Sequence, residues 1–127
     1  MCGISAIISS EPCCIDDIKN MNDLINHRGP DDEGYFFHNS EHDEIFVHGK
    51  DTDLEAIQNL DLEKLDDLNS SKYKIFFGHR RLSIVDTTFG GHQPMRSSCS
   101  RFSIIYNGEI YNAKSLRQEL MSKNFSF

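Results

Sequence analysis

No stretch of this chain approaches the ~20 consecutive apolar residues of a membrane-spanning helix. The N-terminus lacks the basic segment and long apolar run of a secretory leader. These absences predict a cytoplasmic protein with reduced thiols and no membrane partner. Cysteine is sparse and poorly placed for a framework. Of the four, Cys2, Cys13, Cys14 and Cys99, the adjacent pair cannot form a Cys-x-x-Cys clamp. Cys13, Cys14 and Cys99 therefore read as ordinary small residues. The six histidines include no His-Glu-x-x-His motif of the zinc-helix type, and no metal is expected. Positive charge is also short: the net charge is -7, which argues against general nucleic-acid binding. There is no internal repeat and no interdomain linker.

What is present suits one globular domain over residues 2–127. The 127 residues can enclose a single core, with 38% hydrophobic and 26% charged residues. The acidity belongs to one segment. Residues 41–67 hold ten acids against Lys50 and Lys64, so a surface insertion over about 41–74 is expected. Leu54, Ile57, Leu60, Leu65 and Leu68 approximate a helical stripe there. One or two surface helices or partial disorder follow, solvated or serving as a docking surface.

The rest of the chain is strand-rich. Residues 3–9 are small and β-branched and read as a buried strand. Ile15, Ile18, Met21, Leu24 and Ile25 recur at helical spacing, with Asp16 and Asp17 in the first turn, where acids favour the helix dipole. His27-Arg28-Gly29-Pro30-Asp31 reads as a structural loop that braces the functional site and supplies no reacting groups. Tyr35-Phe36-Phe37 and Ile45-Phe46-Val47 predict a hairpin, and Lys74 to Gly78 a further strand. Phe102 to Tyr106 alternates as a strand and ends at Asn107-Gly108, a hairpin-turn dipeptide. Asn112 is a candidate N-cap for a short helix carrying Leu116 and Leu120. Phe125-Ser126-Phe127 looks like the start of one more strand. The fold class is α+β.

One residue carries unusual chemistry. A small side chain at position 2 lets an aminopeptidase remove Met1. Cys2 then holds a thiol and a free α-amine, which with a pKa near ~8 can act as a base. To attack a carboxamide, such a thiol needs donors for the oxyanion and a cation for an amino-acid carboxylate. Asn107-Gly108 can supply a side-chain amide beside a backbone N–H. Arg80 or Arg81 can supply the fork, although paired arginines usually face solvent.

Met1-Cys2-Gly3-Ile4, His27-Arg28-Gly29-Pro30-Asp31, Gly78 to Asp86 (Gly-His-Arg-Arg-Leu-Ser-Ile-Val-Asp), Gly91-His92-Gln93-Pro94-Met95 and Tyr106 to Asn112 occur in that order. Together they resemble the N-terminal glutaminase domain of glutamine-hydrolysing asparagine synthetases, a class II glutamine amidotransferase. The resemblance spans nearly the whole chain outside roughly 41–74. It implies an N-terminal nucleophile hydrolase fold, two antiparallel sheets stacked between helix layers. It implies that Cys2 attacks the side-chain amide of L-glutamine, with Asn107 and Gly108 as the oxyanion hole. Arg81 then matches the residue that holds the substrate carboxylate, and Leu82, Ser83, Ile84, Val85 and Glu109 match the rest of the pocket. The glutaminase step implies no cofactor. ATP and Mg2+ are implied only for a synthetase domain, in cis or trans, where ammonia meets an aspartyl-adenylate. A homodimer is a further partner that the resemblance leaves open.

The sequence stops before the family's Gly-Ser-Asp-x-Glu motif, so a sandwich incomplete on its C-terminal side is expected. A truncated, non-catalytic module acting by partner binding is the alternative.

Overall fold

A computed structural model of the chain describes residues 1–39, 43–68, 72–84 and 86–125. Its centre is a five-stranded sheet in the order β1-β5-β2-β3-β4. The strands are β1 (Gly3–Ile8), β2 (Asp32–His38), β3 (Glu44–His48), β4 (Glu63–Lys64) and β5 (Ile75–Arg81). The aromatic and β-branched residues that predict the Tyr35 and Ile45 hairpin do form it, with Tyr35 opposite Val47. β5 sits between β1 and β2, antiparallel to both: Gly3 faces Arg80 and Asp32 faces Arg81.

Side chains alternate across a strand, and on β5 that period sorts the residues cleanly. Phe76, Gly78 and Arg80 face helix α1 (Ile15–Leu24). Phe77, His79 and Arg81 face the other way. On the α1 side, Ile15, Ile18, Tyr35, Phe37, Val47, Leu65, Tyr73 and Phe76 form the core. Phe37 meets Phe76 edge-on at 4.9 Å between ring centroids, within the geometry that aromatic pairs prefer. Gly78 has to be glycine here, because a Cβ would collide with the Ser5 hydroxyl and crowd Asn22 of α1.

The opposite face is covered only in part. Phe36 packs on Phe46 and Phe77. A two-stranded ribbon, β6 (Met95–Arg96) with β7 (Ser103–Ile104), lies on this side. Arg96 stacks over Phe46 at 4.7 Å and pairs with Glu44 at 3.2 Å. Ile4 and Ile8 stay 48% and 75% exposed. The strand over residues 3–9 is therefore not buried throughout: its even positions are open, while Gly3 and Ser5 are closed against α1.

The α+β class holds. Of the expected two-sheet sandwich, the described residues show one helix layer, one full sheet and the β6–β7 ribbon. Helix α3 (Ala113–Ser122) follows Asn112, which takes the N-cap position but makes no side-chain cap bond, and α3 buries none of its residues.

Two expectations need correction. Asn107-Gly108 is not a hairpin turn. The tight turn would need positive φ at both residues, yet among the described residues only Ser100 and Asn124 have it. The ladder ends at Ile104, well before it. The acidic segment, in turn, is no free-standing surface insertion. It forms α2 (Leu54–Asn59) and the edge strand β4, buries Ala56, and puts Leu65 into the core. The strand start proposed at Phe125 has no strand at Phe125, and Ser126 and Phe127 lie outside the described residues.

Candidate active site

Cys2 directly precedes β1, so the pairing of β1 with β5 carries it to the far end of β5. There its Sγ accepts the N–H of Leu82 at 3.3 Å and lies 3.8 Å from the Leu82 carbonyl, to which the thiol can donate. The Cys2 carbonyl receives two donors, Asn107 Nδ2 at 2.9 Å and Arg28 Nε at 3.1 Å. Asn107 has a second N–H on the same nitrogen. The structure thus brings Cys2, Leu82 and Asn107 together although 105 positions separate the ends of that set.

Arg28 belongs to the turn that the sequence marks as ordered. Gly29 of that turn lies flat on the end of β5, where a Cβ would collide with the Arg80 and Arg81 main chain. Asp31 accepts the Ser83 N–H at 2.8 Å, and its own N–H reaches the Arg81 carbonyl at 3.1 Å. The turn therefore fixes both the Cys2 carbonyl and the chain leaving β5.

Neither of the paired arginines faces solvent; both are buried. They point to opposite sides of the sheet and do different things. Arg81 donates from Nη1 to the Thr88 carbonyl at 2.8 Å and from Nη2 to the Asp86 carbonyl. Gly91 packs directly on its guanidinium, leaving no room for a Cβ. Arg81 thus organises the 86–91 loop beside Leu82. Arg80, fully buried, sits among Asp23 at 2.7 Å, Asp51 at 2.8 Å and Glu33 at 3.0 Å. The oxygens of these three acids cluster closely enough to hold a cation, and the guanidinium occupies that place.

The acidic segment is stitched to this cluster. The Asp51 N–H donates to Glu33 Oε1 at 2.9 Å and Thr52 Oγ1 donates to the Glu33 carbonyl at 2.7 Å. The Asp53 N–H reaches Asp32 Oδ1 at 2.9 Å. The other oxygen of Asp32 takes His92 Nδ1 at 2.8 Å, with both side chains 2% exposed. An ionised carboxylate only accepts, so Nδ1 carries the proton. Next to them His79 is buried, and burial pushes its pKa down to about 4, so it is neutral near pH 7.

The remaining residues that the sequence singled out are less engaged. Leu82 and Ser83 are half-buried and Ile84 is 73% exposed. Val85 lies outside the described residues. Gly108 and Glu109 are exposed, and among the described residues no hydrogen bond joins Glu109 to Cys2, Asn107 or Arg81. Arg28 was expected only as part of a bracing loop, and Asp32, His92 and Gln93 were given no role from sequence. The signal for Arg28, His92 and Gln93 was the density of Gly, Pro and His in their two motifs. A cavity of about 470 Å3 between the acidic segment and the loop before β6 is lined by Phe46, Leu62, Phe89 and Met95 among others, and does not include Cys2.

The Cys2 thiol thus lies on a backbone N–H, and the Asn107 carboxamide is bonded to the carbonyl of the same residue. The glutamine amidotransferase domain family model matches residues 65–127, and the chain belongs to that family. Its relatives over nearly the whole chain include asparagine synthetases and fungal amidases. It is 35% identical over 132 residues to glutamine-hydrolyzing asparagine synthetase 1 of Bacillus subtilis, covering 100% of this chain and 15% of that protein. A putative glutamine-hydrolyzing asparagine synthetase of Methanocaldococcus jannaschii is 33% identical over 134 residues, covering 94% of this chain and 20% of that protein. The amidase chyE of Penicillium rubens is 27% identical over 136 residues, covering 97% and 15%. The chain thus spans under a quarter of the length of these relatives. No solved structure matches it at the same level of significance.

Proposed function

We propose that this chain is the glutaminase portion of a glutamine-dependent synthetase, with Cys2 as the nucleophile. The observation that carries the reading is the Cys2 thiol on the Leu82 N–H, with the Asn107 amide on the same residue. Met1 is 80% exposed, as its enzymatic removal requires. Once Met1 is gone, the Cys2 α-amine takes the thiol proton as sulfur attacks the γ-carboxamide carbon of L-glutamine. The oxyanion is met by Asn107 Nδ2 and the Gly108 N–H. Collapse of the intermediate breaks the C–N bond, and the protonated α-amine gives its proton to the departing ammonia. Water then cleaves the thioester to glutamate.

Arg81 holds the substrate carboxylate with the N–H bonds that the Thr88 and Asp86 carbonyls leave open. Leu82 to Val85 and Glu109 complete the pocket. Ammonia passes to an ATP- and Mg2+-dependent synthetase domain, in cis or trans, which makes asparagine from aspartate in the relatives' manner. Those cofactors belong to that domain and not to the residues described. We place the reaction in the cytoplasm. Among the described residues no helix is long and apolar enough to cross a membrane.

Intact mass should show loss of Met1, and an electrophilic glutamine analogue should label Cys2 and abolish glutamate release. Persistent Met1, or labelling that survives Cys2→Ala, overturns the reading. The exposed Ile4 and Ile8 favour a second reading, a non-catalytic module that binds a partner over the open sheet face. Glutamine turnover by the purified chain excludes it.

A further inference from the structure

The Gly91-His92-Gln93-Pro94-Met95 motif has no part in the chemistry above, yet it is tied to the site by the closest hydrogen-bonded ring on this face. β6 and β7 pair in a register that sets Met95 against Ile104 and Arg96 against Ser103. Extended outward by two residues, that register sets Gln93 against Tyr106. The main-chain ladder has ended by then, and the Gln93 side chain replaces it. The Tyr106 N–H donates to Gln93 Oε1 at 2.6 Å, and Gln93 Nε2 donates to the Tyr106 carbonyl at 3.1 Å.

A carboxamide that bonds both polar groups of one residue fixes the two peptide planes flanking it. The second of those planes begins Asn107. Tyr106 is otherwise a half-exposed residue in a loop, without strand pairing.

Gln93 can act as an anchor because its own backbone is fixed. His92, one residue earlier, is locked to Asp32 at 2.8 Å with both side chains buried. The His92 N–H caps the preceding turn on the Phe89 carbonyl at 3.0 Å. The Gln93 carbonyl lies so close over Gly34 of β2 that a Cβ there would collide with it. The path runs from the rigid sheet through Asp32 and His92 to Gln93, then through Tyr106 to Asn107.

We propose that Gln93 is the positioning residue for the oxyanion donor: its carboxamide clamps Tyr106 and so holds the Asn107 amide against Cys2. This rests on the role given to Asn107 under the proposed function. Gln93 touches neither thiol nor substrate and acts only through Asn107.

The test is a double-mutant cycle on the full chain, using glutamine hydrolysis. Gln93→Ala should lower kcat about 10- to 100-fold with KM changed less than about 3-fold, as expected when an oxyanion donor is misplaced. In an Asn107→Ala background the same substitution should cost less than about 2-fold, since its only route of action is gone. Alkylation of Cys2 by iodoacetamide, which needs no oxyanion donor, should keep its rate within about 2-fold in Gln93→Ala. Equal losses in both backgrounds, or alkylation slowed along with turnover, would show a general structural role and overturn the proposal while leaving the function intact. A parent chain that neither turns over glutamine nor is labelled at Cys2 overturns the functional reading, and this inference with it.

Discussion

Two buried side chains of β5 illustrate how opposite problems are solved on the two faces of one strand. Arg80 is charged and fully buried, and Asp23, Glu33 and Asp51 surround it. Glu33 is itself 2% exposed, so removing the guanidinium strands a buried anion. Arg80→Met should cost about 3–5 kcal/mol in a denaturant titration. Adding Glu33→Gln should restore part of that loss. His79 takes the other course and stays neutral. Its folded pKa of about 4 lies below the ordinary 6.5, so the unfolded chain binds the proton more readily. The stabilisation is complete above pH 6.5 and declines as pH falls towards 4. Linkage puts the loss at about 2 kcal/mol by pH 5 relative to pH 7. Urea unfolding at both pH values should show it, with His79→Gln losing correspondingly less. Neither arrangement could be read locally. An Arg-Arg pair in a sequence carries no mark of the three acids, 29 to 57 residues away, that accept it, nor of the strand period that parts the two side chains.

At the level of elements, the hydrophobic period was a good guide wherever neighbours in sequence are neighbours in space. It located α1, the β2–β3 hairpin and β5. It failed at two places where distant partners decide. The alternation over Phe102 to Tyr106 suggested a full strand, but only Ser103 and Ile104 are assigned to one, with Phe102 closing the turn on Ser97 and a glutamine side chain taking over at Tyr106. The acidic run suggested solvated surface, although Thr52, Ala56 and Leu65 within it are buried, Leu65 in the same core as Val47 of β3. α2 is one consequence. Its N-cap Asp53 accepts the N–H groups of Glu55 at 2.8 Å and Ala56 at 3.3 Å, while its own N–H holds Asp32. Asp53→Ala should lower stability by about 1 kcal/mol in thermal or chemical unfolding, the usual cost of a lost cap. Its main-chain bond to Asp32 survives, so Cys2 labelling should be unchanged.

Across the whole molecule, the site is assembled from both ends of the chain around one strand. The order β1-β5-β2 makes the first strand wait for the fifth: Gly3 pairs with Arg80, and the Cys2 carbonyl waits for Asn107. The motif order in the sequence made the participants recognisable, but not their bonds. That Arg81 would hold a loop, and that Arg28 would share a carbonyl with Asn107, follow from closures between distant segments. The same long closure has a meaning in time. Synthesis proceeds at about 5–20 residues per second, so Asn107 follows Cys2 by roughly 5–20 s. Until β5 is made, about 4–16 s after Cys2 at that speed, the newborn N-terminus has no strand to join and stays open to the aminopeptidase. Met1 can therefore be removed before Asn107 reaches the Cys2 carbonyl.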